Sequence, residues 1–257
     1  MSLHTEFVAF STIVRKEARR FLRIWSQTLL PPAISMTLYF IIFGQLIGSR
    51  IGTMGGFSYM QFMVPGLIMM AVLTNAYSNV VSSFFGAKFQ RYIEELLVSP
   101  TSNHTILLGF VVGGILRGIC VGAIVTVLSL FFSSLHIQHI GITVTMLLLT
   151  SLLFSLAGFI NAVYANNFDD ISIVPTFVLT PLTYLGGVFY SIDLLPPFWA
   201  SVSRLNPVLY IVDAFRYGVL GASDVNLGVS FGIVLTFIVV AYLYSMHLLN
   251  SGERLRS

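Results

Sequence analysis

The longest charged segment between the first and last of the apolar segments contains four ionisable side chains within eight positions: Lys88, Arg91, Glu94 and Glu95. Such a group could in principle bind phosphate or take part in catalysis. However, the Gly-Ala-Lys sequence at 86–88 lacks both the spacing and the following hydroxyl residue of the phosphate-binding pattern GxxxxGK(S/T). The segment is therefore not a P-loop for ATP, and its charges favour docking of a soluble partner over catalysis.

Histidine, serine and cysteine give no second candidate for chemistry. His136 and His139 are three residues apart, but no cysteine or acidic residue accompanies them, so a metal site is not expected. The five histidines are scattered, no serine occupies a GxSxG pattern, and Cys120 is the one cysteine of the chain. We therefore predict that this chain is not an enzyme and binds no cofactor itself.

The composition indicates a protein that is largely covered by lipid. Charged residues make up 9% of the 257 residues, and hydrophobic residues make up 56%. A soluble domain usually has about 25% charged residues, so soluble enzymes and nucleic-acid binding are disfavoured. A membrane span needs about 20 largely apolar residues. Six segments qualify: 24–47, 59–86, 105–134, 140–164, 171–190 and 228–249. They predict an all-α membrane protein with one transmembrane domain over 1–257 and no nucleotide-binding domain.

The distribution of lysine and arginine predicts the orientation of these spans, because cytoplasmic loops are enriched in both. One side of the predicted membrane has Arg50, Arg204 and Arg216. The other side has nine basic residues: Arg15, Lys16, Arg19, Arg20, Arg23, Lys88, Arg91, Arg254 and Arg256. Both termini, the 88–103 segment and the 165–170 loop are therefore predicted to lie in the cytoplasm.

Helices are also predicted outside the spans. Near the N-terminus, an apolar stripe with basic residues mostly beside it predicts an amphipathic helix on the inner leaflet: Phe7, Phe10, Val14, Ala18 and Phe21. Between 191 and 227, prolines flank two apolar pieces that are too short to span, FWASVSRL and VLYIVDAFRYGVL. We predict two interfacial or re-entrant helices there, which cover the outer ends of the last two spans.

The charged segment itself predicts a short cytoplasmic helix between the second and third spans. Arg91 and Glu95 are spaced i, i+4, which is a weakly stabilising pair on an exposed helix. Ser99 and Pro100 end the predicted helix. Four apolar residues share one of its faces: Phe89, Ile93, Leu96 and Leu97.

Three ordered runs make this chain resemble the membrane subunit of type-2 ABC exporters: FSYMQFMVPGLIMM (57–70), SFFGAKFQRYIEELLVSP (83–100) and FDDISIVPTFVLTPLTYLGGVFY (168–190). In that family, a cytoplasmic helix after the second span couples to the ATPase and commonly ends in Leu-Leu-x-Ser/Thr-Pro, which EELLVSP matches at 94–100. The resemblance implies a homodimer of this chain with two separate ATPase subunits in a bacterial inner membrane, the ATPases binding ATP and magnesium. It implies ATPase-coupling roles for eight residues: Lys88, Arg91, Glu94, Glu95, Leu97, Pro100, Asp169 and Asp170.

Polar residues inside the spans are candidates for the translocation pathway, because polar side chains in lipid tend to face other helices or a cavity. The family lines its pathway mainly with the second and fifth spans. Polar stripes occur on both spans of this sequence, and we expect six of their residues to line the pathway: Asn75, Asn79, Ser82, Thr176, Thr180 and Tyr184.

The third predicted span has two further features. Gly114, Gly118 and Gly122 recur every four residues, which predicts close helix packing. Arg117 is the one charge well inside a predicted span, and it must pair or reach water because an isolated charge in lipid is costly. We expect it to pair with an aspartate of the 165–170 loop, Asp169 or Asp170, or to reach the cytoplasmic surface.

Two other classes of membrane protein fit the sequence less well. An ion-coupled secondary transporter, the main alternative, usually has carboxylates near the middle of the membrane, whereas the aspartates here fall in loops or at span edges. A membrane-bound enzyme needs catalytic residues at one depth, and none are grouped in this way. The family resemblance implies ATP-driven export, and the lack of an apparent charged cavity lining favours an amphipathic or hydrophobic substrate.

Overall fold

The computed structural model describes residues 3–252, and this range is almost entirely helical. Its first half contains helices α1 to α6: Leu3–Arg23, Trp25–Thr28, Leu30–Tyr39, Gly48–Ile51, Tyr59–Phe89 and Tyr92–Val98. Its second half contains α7 to α13: Asn103–Ser129, Ile140–Tyr164, Asp170–Val174, Thr180–Tyr184, Pro197–Arg204, Pro207–Leu220 and Leu227–Ser251. The remaining elements are two π-helical segments, a 3₁₀ turn and an antiparallel pair of short strands, β1 and β2: Phe40–Ile47, Pro175–Leu179, Ile192–Leu194, Thr53–Met54 and Phe57–Ser58.

Five helical segments of the described range are long and apolar enough to cross a membrane. They are the composite segment Trp25–Ile51 and helices α5, α7, α8 and α13. Helix α8 coincides with the predicted span 140–164, and the other four lie within a few residues of their predictions except at one end of α7. That helix ends at Ser129 rather than 134, because residues 130–139 form turns and an irregular connection.

The predicted fifth span, 171–190, is shorter and less regular than expected. Helix α9, the π-helical segment Pro175–Leu179 and helix α10 are three consecutive segments of five residues each. At about 1.5 Å of rise per residue they cover roughly 20 Å, whereas the apolar core of a bilayer is about 30 Å thick. The span at 171–190, and with it the total of six spans, therefore stays a prediction. The all-α membrane architecture is confirmed.

Helix α5 forms the centre of the fold, and it is the most buried of the five candidate spans. It packs against α7, α8 and α12. Ser58 and Gln61 form a capping box at its N-terminus, in which each side chain bonds the backbone N–H of the other residue. The sequence thus fixes the start of this helix with a local signal, immediately after strand β2.

Glycines allow α7 to approach its neighbours closely. A Cβ at Gly114 would lie 2.7 Å from Val80 of α5, and one at Gly118 would lie 2.9 Å from Ser151 of α8. The predicted close packing of the Gly114, Gly118 and Gly122 stripe is thus confirmed. A second stripe, Gly109 and Gly113, faces α1, which was not predicted.

Helix α1 packs along α7, and its position on the inner leaflet stays a prediction. Its buried residues are Ile13, Glu17 and Phe21, spaced four apart. Of the predicted apolar stripe, Phe21 belongs to this buried face, whereas Phe7 is 68% exposed. The physical reason is the second glycine stripe of α7, which admits the Ile13 and Glu17 face against the backbone.

The two predicted short helices between the last spans are present as α11 and α12. Asn206 caps α12, and Pro207 occupies its first turn. Helix α12 is more than a surface lid, because it packs against α5, α8 and α13. Its Arg216 is buried, lies 3.8 Å from the ring centre of Phe62 and donates a hydrogen bond to the Gly187 carbonyl.

Candidate functional site

The predicted cytoplasmic helix at 88–100 is divided between two elements. Helix α5 continues through Phe89, and α6 begins at Tyr92. Arg91 lies between them with φ of 63°, in the left-handed region, and it is the one non-glycine residue of the described chain with a positive φ. The predicted i, i+4 pair of Arg91 and Glu95 is wrong, since Arg91 stands outside the helix and makes no ion pair with a described residue.

Helix α6 is fixed to the protein on one side and exposed on the other. Ile93 is fully buried, and the Lys16 ammonium of α1 donates a 2.6 Å hydrogen bond to the Tyr92 hydroxyl. On the opposite side, Glu95 is exposed and Val98 is 83% exposed. The helix ends at Val98, and the extended backbone of Ser99 leads into Pro100, as the sequence predicted.

Lys88 points inward and binds the end of another helix. Its ammonium donates to the carbonyls of Val163 and Ala165, at 2.7 and 2.8 Å, where α8 ends. A cation stabilises the C-terminus of a helix because the last carbonyl groups are unpaired there. Lys88 therefore positions the 165–170 loop, and the structure does not present it at the surface with Glu94 and Glu95.

The 165–170 loop lies beside the end of α5. The Phe168 ring packs edge-on against Phe85 and Phe89, with 5.0 Å between ring centres in each pair. Asp169 is exposed, and the Asp170 carboxylate accepts a 2.8 Å hydrogen bond from the Asn166 N–H. The structure thus brings the two predicted coupling segments to the same end of the molecule. We call α6 and the 165–170 loop together the coupling surface.

A buried polar cluster joins α1 to α5. Glu17 is fully buried, and its carboxylate accepts hydrogen bonds from Ser83, at 2.6 Å, and from Arg20, at 3.3 Å. The Arg20 guanidinium also donates to the side chains of Asn79 and Ser82. Sequence reasoning missed Glu17, although it is the one acidic residue among the basic residues of 15–23.

Arg117 belongs to the same region but has a different partner from those predicted. Its guanidinium donates to the Asn75 side chain at 3.0 Å and to the Thr28 carbonyl at 3.3 Å. The expected pairing with Asp169 or Asp170 is wrong, since neither carboxylate contacts it. Neutral acceptors on α5 and on helix α2 hold this charge inside the bundle instead.

The six predicted pathway residues lie in two separate places. Asn75, Asn79 and Ser82 bind the arginines of the polar cluster. Thr176 and Thr180 line a groove of about 260 Å³, which is also lined by Met70, Thr74 and Thr183. Tyr184 lies one turn beyond this groove, is 44% exposed, and packs on Phe189 at 5.9 Å between ring centres. Their role in a pathway stays a prediction.

Comparison with known proteins gives this architecture a class. The family model of the ABC-2 type transporter matches residues 8–220, and the chain belongs to this family. It is therefore a transport permease, and the match includes α5, α6 and the 165–170 loop.

Individual relatives agree with the family. The chain is 61% identical over 255 residues to inner membrane transport permease YadH of Escherichia coli (strain K12), a match covering 99% of this chain and 100% of that protein. It is 24% identical over 214 residues to nodulation protein J of Rhizobium leguminosarum bv. viciae, covering 83% of each. With its five apolar candidate spans, the chain is a multi-pass inner-membrane protein.

Proposed function

We propose that this chain is the permease subunit of an ATP-driven exporter and that its coupling surface docks a separate ABC ATPase. The observation that carries the proposal is the convergence of α6 and the 165–170 loop at one end of the molecule. There they present the carboxylates of Glu95 and Asp169 and the apolar side chain of Val98 to solvent. Because carboxylates are costly in lipid, a surface that exposes them is expected to face water, where a soluble partner can reach it.

The attachment of the coupling surface explains how a docked ATPase moves the membrane helices. Ile93 and the Lys16–Tyr92 hydrogen bond hold α6 against the bundle. Lys88 joins α5 to the end of α8, and Asp170 begins α9. A displacement of this surface is therefore transmitted to α5 and to the fifth segment, which consists of α9, the π-helical segment Pro175–Leu179 and α10.

The proposed assembly has two copies of this chain and two ATPases. ATP and magnesium bind to the ATPases, and this chain binds no cofactor. Both termini lie in the cytoplasm, an orientation predicted by basic residues that include Arg254 and Arg256, which lie outside the described residues. In this orientation the coupling surface faces the cytoplasm, and α11 and α12 gate the outer end.

The proposed substrate is an amphipathic or hydrophobic molecule. The groove between α5 and the fifth segment supports this proposal, because threonines, apolar side chains and Pro175 line it and no ionisable side chain is among its lining residues. Its hydroxyl groups at Thr74, Thr176 and Thr180 suit a ligand with neutral polar groups rather than a highly charged one. Substrate-stimulated ATPase activity of the reconstituted complex, screened over such molecules, identifies the substrate.

Binding of the ATPase tests the coupling surface. The double variant Glu94→Lys/Glu95→Lys reverses the charge of α6, and we expect it to lose co-purification with the ATPase. Asp193→Lys is the matched control, because this exposed carboxylate follows the fifth segment near α11, away from α6. Retention of the ATPase by the double variant at the level of this control would contradict the proposed docking site.

The main alternative is an ion-coupled transporter that acts without an ATPase. Two buried carboxylates, Glu17 and Asp213, are the features of the described residues nearest to such a mechanism. However, Glu17 lies on α1 and is paired with Arg20, and Asp213 lies on α12, where it accepts hydrogen bonds from Ser223 and from the backbone of residues 224 and 225; both helices are outside the candidate spans. Transport by the purified chain alone, driven by a proton gradient in vesicles, would overturn the ATP-driven proposal.

A further inference from the structure

A basic cavity lies along α1, apart from the threonine-lined groove, and one of its residues, Lys16, also contacts Tyr92 of the coupling surface. It is an open cavity of about 840 Å³. Five residues line it, and four of them are cationic: Lys16, Arg19, Arg20, Leu22 and Arg23. Their spacing of three and four residues places them on one face over two helical turns, about 10 Å along the axis.

The charge of this cavity is only partly neutralised by the protein. The Glu17 carboxylate pairs with Arg20, one of the four cations, and also accepts a hydrogen bond from Ser83. Within residues 3–252, Arg19 and Arg23 form no hydrogen bond or ion pair, and the one salt bridge is that of Arg20 with Glu17. Cations grouped in this way on one face create a local positive potential, which favours the binding of an anion.

The walls of the cavity are fixed before any ligand binds. Arg20 is held by Asn79 and Ser82 of α5, and Lys16 is held by Tyr92 of α6. Arg19 and Arg23 are exposed at the rim. A ligand therefore meets two positioned cations and two that are free to close around it.

The location of the cavity selects the kind of anion. Trp25, which is 57% exposed, begins the first candidate span two residues after Arg23, and Leu22, also exposed, lines the cavity itself. Tryptophan at the start of a span is typical of the membrane–water interface. Basic residues beside apolar surface at this depth match a phosphate headgroup with acyl chains below it.

We propose that this cavity binds the headgroup of an anionic phospholipid, with Arg19 and Arg23 as the specificity-determining residues. The site is independent of the proposed ATP-driven export, because its ligand is a membrane component and its residues lie outside the coupling surface. The basic face of α1 then anchors the helix to the inner leaflet through a defined site.

Quenching of Trp25 fluorescence measures binding at this site directly. In a Trp199→Phe background, Trp25 is the one tryptophan of the chain. The full chain is placed in vesicles in which phosphatidylglycerol or phosphatidylcholine carries brominated acyl chains, and quenching by the two lipids gives their relative affinity. Each arginine near an anionic membrane surface contributes about 1 kcal/mol, and 1.4 kcal/mol corresponds to about tenfold in affinity, so Arg19→Gln/Arg23→Gln lowers the preference for phosphatidylglycerol about thirtyfold.

Three further measurements decide between occupants. Arg50→Gln/Arg204→Gln removes two exposed arginines elsewhere and leaves the preference unchanged, and Arg19→Lys/Arg23→Lys retains most of it. An unchanged preference in Arg19→Gln/Arg23→Gln overturns the proposal. The proposal is also overturned if inorganic phosphate, at the same concentration as the lipid headgroups, abolishes the preference for phosphatidylglycerol. The site would then bind free phosphate.

Discussion

The ion pair that attaches α1 to the bundle gives the most quantitative prediction. In Arg20→Met, the Glu17 carboxylate stays fully buried and keeps only the 2.6 Å hydrogen bond from Ser83. Removing one partner of a buried pair costs about 3–5 kcal/mol. Because the Arg20 side chain is 25% exposed, solvent compensates part of this cost, and we expect the free energy of unfolding to fall by about 3 kcal/mol.

A double-mutant cycle separates this charge effect from lost packing. In Glu17→Gln/Arg20→Met, no buried charge is left without a partner, so the remaining cost is that of the three hydrogen bonds from Arg20 to Ser82 and to the carbonyl and side chain of Asn79. Arg20→Met alone loses the same three bonds and also leaves the Glu17 charge unpaired. The two substitutions are therefore strongly non-additive, with a coupling of at least about 1 kcal/mol. The measurement is equilibrium unfolding in mixed micelles, followed by tryptophan fluorescence.

Arg15→Met is the matched control, because Arg15 is exposed on the same helix and forms no pair within the described residues. We expect its effect to stay within about 0.5 kcal/mol. Equal effects of Arg15→Met and Arg20→Met, or additive effects in the cycle, would refute the assignment of Glu17 and Arg20 as a buried pair.

Three other predictions concern the packing and charges of α1 and α7. Gly113→Leu should destabilise the protein by about 1–3 kcal/mol, because a Cβ there would lie 2.5 Å from the Glu17 Cβ. Gly232→Leu should not destabilise it, because no atom lies within 4 Å of a Cβ at that position. Thermal unfolding of both variants checks this. Asp170→Arg should not rescue Arg117→Asp in an ATPase-stimulation assay, because Arg117 bonds Asn75; rescue would show that the two charges pair in another state. Hydrogen bonds from Thr105, followed by those from Ser102, hold the pKa of Glu6 below its ordinary value of 4.5. Because the pKa is lower in the folded state, Glu6 stabilises the protein above its unfolded-state pKa and loses this effect as the pH falls through its folded-state pKa. Glu6→Gln should therefore flatten the dependence of the unfolding free energy on pH below about pH 4.5. An unchanged dependence would contradict this.

Local signals in the sequence predicted much of the fold. Apolar length located α8 without error and four other spans approximately, because in lipid a helix must satisfy all its backbone hydrogen bonds within itself. Proline and asparagine marked the start of α12, and Ser99 with Pro100 marked the end of α6. The family resemblance, read from ordered runs of residues, is confirmed by the family match over 8–220.

The candidate site was predicted less completely, because its side chains depend on neighbours distant in the sequence. Asn75 and Asn79 formed a visible polar stripe, but nothing in the sequence told which charges they would bind. A left-handed residue is usually glycine or asparagine, and Arg91 is neither, so the sequence predicts one continuous helix through this position instead of the break between α5 and α6. Lys88 was counted with the surface charges, although the end of α8 lies within its reach.

The sequence by itself determined that this chain is a helical membrane protein, where most of its spans lie and which family it belongs to. These properties follow from composition and from residue patterns within single helices. Only the tertiary structure decided that Glu17 is buried, that Arg117 binds Asn75 and that α6 starts at Tyr92. The first depends on the approach of α1 to the glycines of α7, the second on the packing of α7 against α5, and the third on where α5 ends. Such contacts are fixed by packing between helices rather than by the residues of any one of them.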